Sequence, residues 1–265
     1  MGADGAAWEL DGVVPAREVS WGAGPDGGGA VCPLAVPRPV MRHRWELLTF
    51  LHWSYPAPTV QALLPPGLTV ETFDGQAWVA LVPFFMRVAA PGGGSLPWAS
   101  RFCETNVRTY VRDARGRAGV WFFSLDASRL GVVAVARRGF RLPYFWSRMD
   151  LQTGAGGLTY TCRRLGPGRE HPRSLVSIAV TAPFRPDELG ALDHFLTARW
   201  RLFSVDGNRR RVADAEHAPW PLFRAEVRLL DDELVAAAGL PAPTVAPLVH
   251  YSPGVGVRIG AGRPF

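Results

Sequence analysis

The 265-residue sequence predicts a mainly β (α+β) protein of antiparallel sheets with a few peripheral helices. Three observations carry that reading. Runs rich in aromatic and β-branched residues recur between turns marked by glycine, proline and aspartate. Roughly ten or more such runs stand against two or three helical stretches, and consecutive hairpins favour antiparallel pairing over a doubly wound sheet. The stretch Phe102 to Val111 alternates without a break, placing Glu104, Asn106, Arg108 and Tyr110 on one face. Cys103, Thr105, Val107, Thr109 and Val111 take the other.

Taken in order, residues 1–38 contain GAGPDGGGA and PLAVPRPV and read as an extended leader, with one β domain over residues 39–265. Arg44 to Tyr55 sets Trp45, Leu47, Thr49, Leu51 and Trp53 against Glu46, Leu48, Phe50, His52 and Ser54. Both sets are largely apolar, which suits a central strand. Pro58 opens a short helix that Pro65-Pro66-Gly67 ends. Leu68 to Thr72 is a strand, and the Asp74-Gly75 turn leads from it into Ala77 to Val88. Pro83 has no N–H for a ladder, so that strand needs a bulge or an edge there.

Beyond Asp126, Ser128 to Arg138 reads as a helix capped by Asp126 or Ser128. Tyr144 to Leu151 and Leu158 to Arg164 form a hairpin, followed by a strand from Leu175 to Thr181. Pro186 to Arg199 is an amphipathic helix with Leu189, Leu192, Phe195 and Leu196 in one stripe. Trp200 to Val205 pairs with Arg211 to Ala215 across Asp206-Gly207-Asn208. A strand from Arg224 to Leu229, a helix from Asp231 to Ala238 and a strand from Val245 to Ile259 complete the chain.

The composition narrows the function classes. A hydrophobic fraction of 48% with 20% charged residues is ordinary for a globular chain with a sizeable core. No apolar run is long enough to span a bilayer, and no basic region followed by an apolar run opens the chain, so a cytoplasmic protein without membrane partners is expected. The net charge of +6 invites a nucleic-acid partner. The arginines are nevertheless scattered among acids and accompany no recognition motif, so none is expected. Cys32, Cys103 and Cys162 are far apart and form no CxxC, which favours buried thiols. No two histidines have ligand spacing, so no metal and no cofactor is expected. All 29 basic residues are arginine; the chain contains no lysine. No side chain can therefore form an imine with a carbonyl substrate.

Several segments together resemble a known family: RWELLTFLHW, LLPPGLTVETFDGQAWVALVPFFM, ETNVRTYV, GVWFFSLDA, ARRGFRLPYFWSRM, EHAPWPL and VHYSPGV. Their order over about residues 41 to 260 is similar to that of the YqjF-like family of uncharacterised bacterial proteins, within the acetoacetate decarboxylase-like superfamily. The resemblance implies curved antiparallel sheets forming a closed, cone-like β structure around a cavity. The superfamily's decarboxylase uses a lysine imine, which this chain cannot make, so imine-based acetoacetate decarboxylation is excluded.

Against that expected cavity the polar row of the alternating strand gains weight. Glu104 is the candidate acid/base and Arg108 the carboxylate anchor, since a guanidinium fork matches a carboxylate and burial raises a glutamate's pKa. Asn106, Tyr110, His52, Asp126 and Trp121 are candidate substrate-binding residues. The competing account is a solvent-facing row or a structural Glu–Arg pair. Asp126 as a helix cap and His52 as a satisfied core residue are the bland alternatives for those two. His217 and His250 rank beside His52, while His194 lies off its helix's apolar stripe and is expected in solvent. Aromatic residues lining the cavity would favour an apolar ligand.

Two functions are expected from this. One is a lyase- or hydratase-type enzyme acting on a small oxo or carboxylate compound without a Schiff-base lysine. The other is a non-catalytic binding protein for a small apolar ligand. Either can be oligomeric.

Overall fold

The structure is a computed structural model, and it describes residues 30–89, 100–130, 142–165, 171–206 and 209–265. The leader to residue 29 and the body of the helix expected over Ser128 to Arg138 lie outside the described residues. The first six strands are β1 (Met41–Pro56), β2 (Leu68–Val70), β3 (Thr72–Phe73), β4 (Gln76–Ala89), β5 (Arg101–Asp113) and β6 (Ala118–Ala127). There follow β7 (Tyr144–Gly154), β8 (Gly157–Arg164), β9 (Arg173–Pro183), β10 (Arg201–Asp206) and β11 (Arg209–His217). The last are β12 (Phe223–Asp232), β13 (Leu248–Ile259) and β14 (Arg263–Pro264). Short helices occupy Ala57–Gln61, Ala191–Thr197 and Leu234–Ala237.

The Asp74-Gly75 hairpin forms as its sequence requires: both residues take positive φ, 51° and 76°, and Phe73 pairs with Gln76. The expected helix from Pro186 to Arg199 is instead split. A 3-10 turn covers Pro186–Glu188, and the helix restarts at Ala191 after Gly190, whose N–H donates to Asp193. Two hydrogen-bonded starts, at Arg185 onto Glu188 and at Gly190 onto Asp193, interrupt what the apolar stripe made look continuous. His194 in that helix is half-buried, not solvated.

β1 departs from strict alternation. Glu46 pairs with Phe85 and the next pair is Leu51 with Leu81, so β1 carries one more residue than β4 across this interval. Leu47 takes φ of 52° inside the bulge. The extra residue reverses the parity, so Trp45 packs on the side of Leu48 and Phe50 while Leu47 packs with Leu51. This is also where the proline constraint is met. β4 runs between β1 and β5, and Pro83 lies where the β1–β4 ladder is broken. Gly254, paired with Glu46, sits at φ 127°; a Cβ there would fall 2.0 Å from the Trp45 carbonyl oxygen.

All strands belong to one sheet, mostly antiparallel, with parallel pairs at β6–β7 and β6–β10. The sheet departs from the expected antiparallel pairing at those two junctions alone among the described strands, and β6 is not followed by a tight turn. A connection of a dozen or more residues is what allows a chain to return in parallel. The pairings close on themselves twice. One ring runs β6-β7-β8-β9-β12-β13-β1-β4-β5 and back to β6, and another runs β13-β1-β4-β5-β6-β10-β11 and back to β13. The shared wall, β13-β1-β4-β5-β6, therefore has a buried core on each face, which explains why β1 and β4 are apolar on both sides. One core gathers Leu151, Tyr160, Ile178 and Phe223 from the first ring against Leu81 and Val107 of the wall. The other gathers Ala215, Leu196 and Trp220 against Phe50, Phe84, Tyr110 and Phe122. The end of the leader is docked: Val36 is buried, its N–H donates to Glu216, and its carbonyl accepts from Arg258.

Candidate functional site

The alternating row of β5 faces the second of those cores. Glu104, Asn106, Arg108 and Tyr110 are all buried, and their neighbours on that face are Phe50, Phe122, Leu125 and Trp220. Glu104 and Arg108 stand four residues apart on one strand face, about 13 Å between Cα atoms at the usual rise. Asn106 lies between them.

Glu104 accepts a hydrogen bond of 3.0 Å from the Tyr144 hydroxyl and makes no ion pair among the described residues. Burial pushes its carboxyl up to about 8, the Tyr144 bond offsets part of that rise, and the nearby Asp126 charge adds to it. At neutral pH Glu104 is mainly a neutral acid. Tyr144 is pushed well above the usual phenol range by burial and by Glu104, so it remains a donor.

Arg108 is 9% exposed and also has no carboxylate partner among the described residues. Its guanidinium lies over the Phe50 ring at 5.4 Å, and its Nε has no hydrogen-bond partner among the described residues. Asn106 Oδ1 is buried and equally without a partner among the described residues. Arg199, in contrast, has a counter-charge: it pairs with Glu71 at 3.0 Å and lies over the Phe195 and Tyr110 rings, although its Nε and Nη2 have no hydrogen-bond partner among the described residues.

A histidine pair adjoins Arg108. Ala80 pairs with both His52 and Arg108, which places His52 beside the arginine across β4. His52 Nε2 is 2.7 Å from the Tyr110 hydroxyl, which itself donates to the Leu196 carbonyl at 2.7 Å. Since the phenol has one hydrogen to give, the imidazole Nε2 is the donor and Nδ1 keeps its lone pair. That Nδ1 is buried without a partner among the described residues. Burial, then the His250 and Arg108 charges, hold His52 well below the usual imidazole range, so the ring is neutral. His250, with its ring centroid 6.1 Å from that of His52, bonds Asp193 through Nε2 at 2.8 Å, and its own Nδ1 has no partner among the described residues. The His250 bond, opposed by partial burial, holds Asp193 below the usual carboxylate range.

The structure thus brings Glu104, Asn106, Arg108, Tyr110 and His52 to one face. Asp126 and Trp121 lie elsewhere. Asp126 pairs with Thr105, on the opposite face of β5, where it accepts from Arg164 Nε and Nη2 and from the Ser147 hydroxyl. It therefore does not share the face of Glu104, although its charge acts on Glu104 through the sheet, and the helix that it is expected to cap lies outside the described residues; Ser128 accepts from the Cys103 N–H. Trp121 pairs with Thr109 and packs near Phe203 and Val111. Register decides both placements. Tyr144 and Asp193 join the site without a sequence signal, because contacts between distant elements leave no local pattern. Cys103 and Cys162 are buried; burial pushes Cys103 up to about 12, so it is no nucleophile. Among the described residues no group of His, Cys, Asp and Glu is arranged to hold a metal ion, and no helix is long and apolar enough to cross a membrane.

The mainly β architecture matches that of acetoacetate decarboxylase-like folds. The enduracididine biosynthesis enzyme MppR complexed with pyruvate matches with a TM-score of 0.59 at 17% identity, covering 91% of this chain and 98% of that one. An acetoacetate decarboxylase-like enzyme from Sphingomonas wittichii RW1 gives 0.56 at 14%, covering 89% and 99%. Acetoacetate decarboxylase from Legionella pneumophila gives 0.58 at 13%, covering 88% and 92%. These likenesses show the fold. The chain itself belongs to DUF2071, a family described as an uncharacterised conserved protein, whose pattern matches residues 42–256. It is 34% identical over 214 residues to the uncharacterised protein YqjF of Bacillus subtilis (strain 168), covering 80% of this chain and 87% of that protein.

Proposed function

We propose that this protein is an enzyme acting on a small oxo-carboxylate held against the inner face of β5, in a lyase- or hydratase-type reaction without an imine. The observation that carries the proposal is Arg108: a buried guanidinium with no carboxylate partner among the described residues, on the same face as a carboxyl whose pKa is raised to about 8. A buried cation left alone is costly, and a ligand carboxylate would supply the counter-charge. Arg108 anchors that carboxylate, and neutral Glu104 at the other end donates its proton to the substrate's carbonyl or leaving hydroxyl and takes it back on turnover. Tyr144 orients Glu104, and Asn106 Oδ1 offers an acceptor between the two. The pyruvate complex of MppR, a protein of this fold, makes small 2-oxo acids the first compounds to try. A ligand-holding role without chemistry is the second proposal, favoured by the aromatic walls Phe50, Phe84 and Trp220.

Incubation with a panel of 2-oxo acids beginning with pyruvate, followed by mass spectrometry, tests the first proposal. Turnover by the wild type should be lost in Glu104→Gln, with the thermal midpoint at pH 5 near wild type. Unchanged activity in Glu104→Gln would sink the assignment. Ligand-dependent stabilisation without any product would favour the binding role.

A further inference from the structure

A second charged feature lies on the opposite face of the shared wall and has no part in the site above. Arg44 of β1 pairs with Arg87 of β4, and Arg87 pairs with Arg101 of β5, so three guanidinium stems stand side by side across adjacent strands. Arg42, two residues from Arg44 on the same face, flanks the row. Like charges directly opposite on neighbouring strands repel, so the arrangement opposes the sheet unless something compensates it.

The compensation within the chain is partial. Glu46 is buried, and its two oxygens accept from the Nε atoms of Arg44 at 2.8 Å and Arg87 at 2.6 Å. That geometry is specific. By taking Nε on each side, one carboxylate fixes two guanidinium planes and leaves their Nη groups for another acceptor. The side chains of Arg42 and Arg101 make no ion pair or hydrogen bond among the described residues, and both residues are exposed. Four arginines against one glutamate leave about three uncompensated positive charges, by formal count at neutral pH. They line a groove of about 350 Å³ at the end of the wall where β1 and β5 begin and β4 ends. This is the lower end of the size range of small-molecule sites.

We infer that this groove binds a small phosphorylated compound, its phosphoryl oxygens received by the Nη groups of Arg44 and Arg87 and by Arg42 and Arg101. The confinement of the arginines to one short groove, instead of a stripe along the surface, favours a compact polyanion over a nucleic-acid strand. Glu46 is the positioning residue: it does not touch the ligand but holds two of the forks.

Calorimetric titration of the full chain with pyrophosphate, at constant ionic strength set with chloride, tests the inference. Saturable binding is expected, weakened at least tenfold in the double variant Arg42→Gln/Arg101→Gln, which breaks no contact within the described residues. Glu46→Gln separates a built site from diffuse attraction. It adds one positive charge to the groove, so nonspecific attraction predicts tighter binding, whereas loss of the positioned forks predicts weaker binding. No saturable binding, tighter binding by Glu46→Gln, or unchanged affinity in the double variant would each overturn the inference. Tighter binding of a short oligonucleotide than of pyrophosphate, at equal phosphate concentration, would overturn it too.

Discussion

β5 presents a carboxylate arrangement on each of its faces, and the two are built in opposite ways. On the face toward the first ring, Asp126 of the neighbouring strand is fully buried and receives two guanidinium bonds from Arg164 and one from Ser147. On the other face, among the described residues, Glu104 receives only the Tyr144 hydroxyl, while Arg108 has Phe50 beneath it and no acid opposite. Both carboxylates are buried. The first is a completed structural ion pair; the second keeps an acid and a cation apart at the two ends of a row. Evolution of a stable core alone would favour joining or removing such charges, because uncompensated buried charge opposes folding. A separated pair is what a ligand bearing its own carboxylate needs.

The largest contrast should appear on breaking the completed pair. Asp126→Asn leaves Arg164 without its buried counter-charge and should destabilise the fold by about 3–5 kcal/mol in denaturant titration. The next effect is in pH dependence. The Glu104 pKa rises from 4.5 unfolded to about 8 folded. Below the lower value both states are protonated and the contribution is fully present. As pH climbs, the unfolded chain releases its proton first, so stability falls until the folded carboxyl titrates near 8. Between those limits the wild type should lose on the order of 5 kcal/mol relative to Glu104→Gln. Parallel pH profiles for the two proteins would contradict this.

Arg108→Met keeps the stem's packing over Phe50 and removes the charge. It should raise stability by about 1–4 kcal/mol, the opposite sign to Asp126→Asn, while abolishing any stabilisation by 2-oxo acids. A destabilised Arg108→Met would mean that the guanidinium is structurally compensated after all. The smallest effect belongs to Tyr144→Phe, which deletes one hydrogen bond to Glu104. It should cost about 1 kcal/mol and move the Glu104 titration upward, because that bond favours the ionised form.

Much of the fold was legible in local chemistry. The Asp74-Gly75 turn, the alternation of β5 and the two-faced burial of β1 all follow from residue type and period. The bulge at Leu47 was not, since its cause is non-local: Pro83 on one neighbour and Gly254 on the other make room for it. That bulge moves Trp45 to the face of His52, a parity change that strict alternation forbids. The site was half legible for the same reason. Glu104, Asn106, Arg108 and Tyr110 share a face by period alone, and His52 reaches them through the pairing of β1 with β4. Asp126 carried the right chemistry but the wrong face, because a one-residue register difference decides the side. Tyr144 and Asp193 arrive from connections that no short pattern encodes.

The most direct test of the account is the protonation state of Glu104 in the folded protein, read by infrared difference spectroscopy between wild type and Glu104→Gln across a pH series. A buried, neutral acid predicts a protonated-carboxyl C=O band at pH 7 that is absent from the variant and disappears with a midpoint near 8. A carboxylate already ionised at pH 6 would contradict it, and with it the contrast between the two faces of β5.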